Sequence, residues 1–335
     1  MRVGQNPAKS IEHVPEPARV TVALLTYIPF LSGYYAESLE VLKTCLGSLW
    51  ENTPQPYDLM VFDNASCSEV HTYLQQAQEQ GQMQYLVLSD KNIGKGGAWN
   101  LIFQGAPGEI IAYADSDVYF YSGWLEKSME ILEAFPHVGM VSSRPLRTPQ
   151  VYYTSTLEWA QKEPEATLEK GQFQSWEVFK EHNDSLGVSE ETARQWFQES
   201  HDWRVEYHDC TAYIGAAHFQ FVAPKSVLQA MAPFKMDRPM GQVRSLDQKL
   251  NEAGYLRLTT SEPLVKHLGN RLGESHLGES APSTTDNIPQ QGGNRGAPLR
   301  SRRGAIRRLF NLPPVRRSLL WLYDQIFRLY YSSRT

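Results

Sequence analysis

The chain has 335 residues, 41% hydrophobic and 21% charged, which is ordinary globular composition for one large or two modest domains. Its net charge of −5 is uneven: from Gln291 onward ten arginines and Asp324 give +9, leaving −14 on the first 290 residues, which argues against nucleic acid as a partner of the main surface. Three cysteines without CxxC spacing argue against a disulfide framework or zinc site and for a reducing compartment.

Residues 1–18 read as a polar, proline-bearing tail without the apolar segment of a signal peptide, and no run reaches the ~20 apolar residues of a spanning helix, so a cytoplasmic location is expected. From Val20 the pattern alternates. "VTVALLTY" (20–27) predicts a strand. Residues 38–52 predict a helix with Leu39, Leu42, Leu46 and Leu49 on one side. "YDLMVFDNAS" (57–66) predicts a second strand, 69–81 a helix closed by Gly81, and 84–90 a third strand. A glycine-rich turn opens a helix over 96–106. "EIIAYADSD" (109–117) is the fourth strand, followed by a helix (123–136) and another strand starting at Val138.

Such βαβα alternation predicts an α/β fold, a Rossmann-like, mostly parallel sheet with helices on both faces, whose ligands bind beyond the carboxyl ends of the strands. Polar residues collect at those ends: Thr26 and Tyr27, Asp63 and Asn64, Asp90 and Asn92, Asp115 and Asp117. Residues 151–212 read as an inserted, helical, aromatic-rich lobe. "TAYIGAAHFQFVAP" (211–224) predicts a strand, 245–255 a helix and 256–269 a strand. Residues 271–303 have linker composition, and 304–335 form a basic amphipathic tail.

Asp115-Ser116-Asp117 is the strongest chemical signal. Two carboxylates at i and i+2 of a strand end face the same side and can share a hard divalent cation that bridges to phosphates. "NIGKGGAWN" (92–100) fails the Walker spacing, which excludes a Walker-type NTPase. Lys95 within it can neutralise a diphosphate.

Taken in order, "VTVALLTY", "LMVFDNASCSEV", "NIGKGGAWN", "IIAYADSD" and "LVKHLGN" resemble the family 2 glycosyltransferases of the GT-A fold, over roughly residues 19–270. The resemblance implies a nucleotide-sugar-binding half over 19–150 and an acceptor-binding half over 151–270. It implies an inverting transfer of a sugar from a nucleotide-sugar donor, UDP-linked in the expected form, to a glycan or lipid-linked acceptor hydroxyl, as in glycan or polysaccharide synthesis. Asp63 would bind the nucleotide base and Tyr27 would lie beside it. Thr26, Asn92, Gly94, Lys95, Asn100, Asp115 and Ser116 would complete the donor site. Asp117 and His267, with Asp115 in support, would hold Mn²⁺ or Mg²⁺. Asp247 would be the general base, with Asp237 as the fallback.

Two other readings stand beside this one. A nucleotidyltransferase also gathers carboxylates at parallel strand ends, but "LLTYIPFLSGYY" lacks the basic residues that would bind a triphosphate. A non-catalytic sugar-nucleotide binder would lack the base. In the tail, Leu319, Leu322, Tyr323, Ile326, Leu329 and Tyr330 share one side behind Arg307, Arg308, Arg316 and Arg317, a pattern suited to peripheral contact with an anionic membrane or to docking on protein.

Overall fold

The structure is a computed structural model that describes residues 6–237, 240 and 243–272, and further on only positions 321 and 325. The expected linker and amphipathic tail therefore lie outside the described residues, apart from those two positions and Arg271 and Leu272. The chain divides into two units, Met1–Asp286 and Asn287–Thr335, and all elements named below belong to the first.

In chain order these are β1 (Val20–Thr26), α1 (Ser38–Asn52), β2 (Asp58–Asn64), α2 (Ser68–Glu79), β3 (Tyr85–Ser89), α3 (Gly94–Gly105), β4 (Ile110–Asp115), β5 (Val118–Phe120), α4 (Trp124–Ala134) and β6 (Val138–Ser142). Then come α5 (Thr154–Lys162), β7 (Thr167–Gly171), α6 (Trp176–Ser185), α7 (Glu190–Glu199), β8 (Asp202–Tyr207), β9 (Cys210–Ile214), β10 (Gln220–Pro224), α8 (Lys225–Met231), α9 (Val243–Glu252), β11 (Leu256–Thr259) and β12 (Val265–His267).

The main sheet runs β3-β2-β1-β4-β10-β6-β11-β9-β8-β7. Strands β3, β2, β1 and β4 are parallel to their neighbours, as are β6 and β11, while β10 runs antiparallel between β4 and β6. In the parallel part both faces are covered, so alternate residues enter different cores. Val22, Leu24, Leu59, Val61, Ala112 and Ala114 pack with Leu42, Leu46 and Leu49 of α1 and Leu74 of α2. Ala23, Leu25, Met60, Phe62, Ile111 and Tyr113 pack with Trp99 and Phe103 of α3, Leu228 of α8 and Leu246 of α9. This two-sided burial is why these strands read as unbroken apolar runs rather than as alternating ones.

Three features depart from the sequence expectation. The lobe over 151–212 holds helices α5 to α7 but also β7, β8 and the start of β9, an antiparallel extension of the main sheet. The stretch 211–224 is two strands, parted by a turn at Gly215. The stretch 256–269 is likewise two: β11 stays in the main sheet, while β12 pairs antiparallel with β5 in a separate two-stranded ladder.

Candidate functional site

Parallel register sets the ends of β1, β2 and β4 side by side: Thr26 lies opposite Asp63, and Leu25 opposite Asp115. The turn after β2 is tied to the turn after β1, because the Ile28 amide donates to Ser66 Oγ at 2.9 Å and the Cys67 amide donates to the Ile28 carbonyl at 2.9 Å. Asp63 is wholly buried. Its Oδ1 accepts from the Ser66 amide at 2.9 Å and lies 2.9 Å from His71 Nε2. Its Oδ2 is buried with no hydrogen-bond partner among the described residues, and Thr26 Oγ1 beside it is in the same condition.

The "NIGKGGAWN" segment opens α3. Asn92 Oδ1 accepts from the Gly94 amide at 2.8 Å and from Asn64 Nδ2 at 3.0 Å, and Asn64 Oδ1 accepts from the Ile93 amide at 3.0 Å. Gly94 enters the helix at φ 71, a conformation that side chains disfavour. Asn92 therefore organises the loop through local caps.

Two other residues expected at the donor have different partners. Asn100 donates to the Phe234 carbonyl at 2.9 Å and accepts from the Phe234 amide at 2.7 Å, so both ends of its amide anchor the segment after α8. Lys95 neither faces solvent nor stands ready for a diphosphate. It is buried, with Nζ 2.7 Å from both oxygens of Asp115 and over the rings of Trp99 and Tyr113. Tyr113 Oη also donates to Asp115 Oδ1, at 2.5 Å; its own burial, reinforced by Asp115, pushes the Tyr113 hydroxyl well above the usual tyrosine range. Asp115 thus has a resident cation in Lys95 and is poorly placed to share a metal.

Asp117 differs. Ser116 and Asp117 follow β4 in a turn, and the β5–β12 ladder puts His267 opposite Val118. His267 Nε2 lies 3.3 Å from Asp117 Oδ2, and the Leu268 amide donates to the Asp117 carbonyl at 2.7 Å. Asp117 Oδ1 is buried without a partner among the described residues. Burial works to raise the Asp117 carboxyl, but His267 and Lys95 outweigh it and hold it below the usual carboxylate range. Burial likewise works to lower His267, and Asp117 outweighs it, raising the imidazole.

The other face of His267 is fixed as well. Ser185 Oγ donates to the His182 carbonyl at 2.6 Å, which leaves it to accept from His267 Nδ1 at 2.9 Å. In the neutral imidazole this puts the lone pair on Nε2, the nitrogen facing Asp117. Lys266 and the wholly buried Arg144 grip Glu181 of α6 at 2.7 and 2.9 Å, and Arg144 also donates to the Val265 carbonyl at 3.0 Å, so α6 is locked to the strand that carries His267.

Among the described residues no group of three or more His, Cys, Asp or Glu gathers around one point. A divalent cation here would have two protein ligands, Asp117 and His267. The unpartnered Asp117 oxygen and the tautomer set by Ser185 fit that role, with the remaining positions left to phosphate oxygens and water.

Asp247, expected as the base, is buried: Oδ1 lies 2.6 Å from Nη2 of the wholly buried Arg257, and Oδ2 lies 3.7 Å from Nδ1 of His218. Asp237 is exposed in the segment after α8. Sequence reasoning missed His71, Ser185, Glu181, Arg144 and His218; His71 meets Asp63 eight residues before it, and the others meet partners far away in the chain, so none leaves a local motif.

The sequence model of glycosyl transferase family 2 matches residues 34–208, just over half of the chain. An uncharacterized glycosyltransferase of Nostoc sp. is 26% identical over 100 residues, 30% of this chain and 31% of that protein. Among solved structures, S. aureus TarS is 14% identical with a TM-score of 0.41, covering 73% of this chain and 58% of its own. A mannosyltransferase from Pyrobaculum calidifontis, solved with GDP-Man and Mn²⁺, is 17% identical with a TM-score of 0.42, covering 75% and 60%. The chain thus spans about a third of the curated relative and about three-fifths of these solved chains. By the family match over just over half of its length, the chain belongs to glycosyl transferase family 2 and has its GT-A α/β architecture.

Proposed function

We propose that this chain is a metal-dependent glycosyltransferase that moves a sugar from a UDP-linked donor to an acceptor hydroxyl, with inversion at the anomeric carbon. The observation that carries the proposal is a set of three buried oxygens, Thr26 Oγ1, Asp63 Oδ2 and Asp117 Oδ1, without partners among the described residues at the carboxyl ends of the parallel strands. Leaving such a group unpaired costs about 1–3 kcal/mol, so the arrangement favours a ligand that brings donors and positive charge to that edge.

Asp63 also bears on the base. Oδ1 is already engaged by Ser66 and His71, so one oxygen remains. Uracil offers a single N3–H and suits it. Guanine offers two adjacent N–H groups that would need both oxygens. Asp117 and His267 would hold Mg²⁺ or Mn²⁺. When bound, the cation neutralises charge developing on the departing diphosphate. Lys95 holds both oxygens of Asp115, fixing the carboxylate in place near the ribose and diphosphate.

The acceptor would be a glycan or a lipid-linked saccharide. Cys45, Cys67 and Cys210 are all unpaired, in keeping with the cytoplasm, and among the described residues no helix is long and apolar enough to cross a membrane. On its sequence the basic tail suits peripheral contact with an anionic cytoplasmic leaflet, and co-sedimentation with anionic vesicles, with and without residues beyond Asn270, tests that part.

A thermal-shift panel of UDP-, GDP- and dTDP-sugars, with and without Mn²⁺, tests the main proposal. A UDP-sugar at about 100 times its Kd should stabilise the fold by roughly 2.7 kcal/mol, and only with the metal present. Stabilisation by none of the panel would overturn it.

A further inference from the structure

We propose that His218 is the general base of the transfer and that Asp247 positions it; this rests on the glycosyl-transfer reading above. His218 lies in the turn between β9 and β10. Gly215 begins that turn at φ 122, where a Cβ would meet Thr148 Oγ1 at 2.9 Å. The Ala217 amide donates to Ser142 Oγ at 3.0 Å, and the Phe219 carbonyl accepts the Asp115 amide at 2.8 Å. The residues flanking His218 are therefore pinned to the carboxyl ends of two strands, Ala217 to that of β6 and Phe219 to that of β4, where Asp115-Ser116-Asp117 begins. The Phe219 ring sits 5.5 Å from that of His267 and 5.6 Å from that of His182.

Burial decides between the two candidate proton acceptors. The Asp247 side chain is 7% exposed, with Oδ1 held by a guanidinium that has no exposure at all. That pairing, at 2.6 Å, already occupies the oxygen. The His218 side chain is 43% exposed, with Nδ1 toward Asp247 Oδ2 at 3.7 Å. That separation is longer than a hydrogen bond, and such contacts tighten when the ring becomes charged in a working complex. With Nδ1 facing the carboxylate, Nε2 is the nitrogen left to receive a proton.

The step balances without a further reactant. The acceptor hydroxyl oxygen bonds to the anomeric carbon, the bond from that carbon to the diphosphate oxygen breaks, and the electron pair leaves with the diphosphate. The hydroxyl proton passes to His218 Nε2, and the resulting imidazolium faces Asp247, whose charge is held in place by Arg257.

The test uses the full chain with Mn²⁺ and the UDP-sugar it accepts, measuring UDP release, together with calorimetric UDP affinity. His218→Ala should lower kcat by ~10²–10⁴-fold and leave UDP affinity within about twofold. Asp247→Asn should lower kcat as well, and the double variant should be no slower than His218→Ala alone, because Asp247 acts only through the imidazole. A structural role for Asp247 would make the losses multiply. Full kcat in His218→Ala, loss of UDP affinity in step with kcat, or multiplying losses in the double variant would overturn the inference. A wild-type protein that neither binds UDP with Mn²⁺ nor releases it from any UDP-sugar would instead contradict the parent reading.

Discussion

Lys95 Nζ stands 2.7 Å from both carboxylate oxygens of Asp115, and this pair explains how a core strand can end in two acids one residue apart. Like charges so close repel unless something positive intervenes. Here α3 supplies the positive charge to the first acid, and His267 faces the second. The two carboxylates are thereby separated in role: Asp115 is neutralised by the protein, and Asp117 keeps one oxygen open. Replacing Lys95 with Met leaves the acid without its cation. Because Asp115 is 26% exposed, the loss should fall near the lower end of the 3–5 kcal/mol typical of broken buried pairs, about 3 kcal/mol in a denaturant titration. Unchanged stability would show that solvent, not Lys95, carries the charge.

Asp247 and Arg257 form a second buried pair, with less exposure on both sides. Asp247→Ala should cost about 3–5 kcal/mol, because it strands the guanidinium that burial already pulls below the ordinary arginine range. Asp247→Asn keeps an oxygen that accepts from Arg257 and should lose less. Replacing both residues with Leu and Met should recover much of the loss. Equal midpoints for Asp247→Ala and wild type would contradict the pairing.

The parallel half of the fold was legible because two-sided burial writes itself into the sequence as apolar runs such as Val20–Thr26, closed by polar strand ends. The site was legible where its residues close a strand or the turn just after one, as Asp63, Asp117 and His267 do. Strands β7 and β8 were hidden because one face of each meets water, so Thr167–Gly171 and Asp202–Tyr207, with Glu169 set opposite Arg204 across the ladder, were absorbed into a lobe read as helical. Asn100 sits at a motif position yet anchors Phe234, and Lys95 turns inward to Asp115. Neither direction follows from spacing, since each is chosen by a partner 134 or 20 residues away. The two strands within 256–269 were merged because nothing local marks the move from one sheet to another.

Acid should loosen the α6–β12 junction in two stages. Burial, with Arg144 assisting, holds His182 well below its ordinary 6.5, so below about pH 6.5 the unfolded chain takes a proton the native one refuses, and stability falls. Glu181 is held below its ordinary 4.5, since Arg144 and Lys266 outweigh its burial, so a second loss begins below about pH 4.5. His267 has the opposite sign. Its raised value adds stability that is fully present below about 6.5 and is lost as pH rises through the folded value, so it does not feed the acid loss. Thermal midpoints of wild type and His182→Phe between pH 7 and 4 should diverge below about pH 6.5, with wild type falling the more steeply. Parallel curves throughout would contradict the assignment.

Ser185 orients His267, so its hydroxyl should matter to metal binding without touching the metal. Ser185→Ala should weaken Mn²⁺ affinity about 10–100-fold, read by electron paramagnetic resonance of free Mn²⁺, and Asp117→Ala should remove binding at this site. Unaltered affinity in both variants would place the cation elsewhere.

In the proposed function the strand ends read a uracil base through Asp63 and a metal-bound diphosphate through Asp117. Calorimetry of UDP and GDP with Mn²⁺, on wild type, Asp63→Ala and Asp117→Ala, tests it most directly. Wild type should bind UDP more tightly than GDP. Asp63→Ala should lose that preference while keeping its metal dependence, and Asp117→Ala should lose the metal dependence while still preferring UDP. Equal affinity of wild type for the two nucleotides, or a preference that survives Asp63→Ala, would contradict the account.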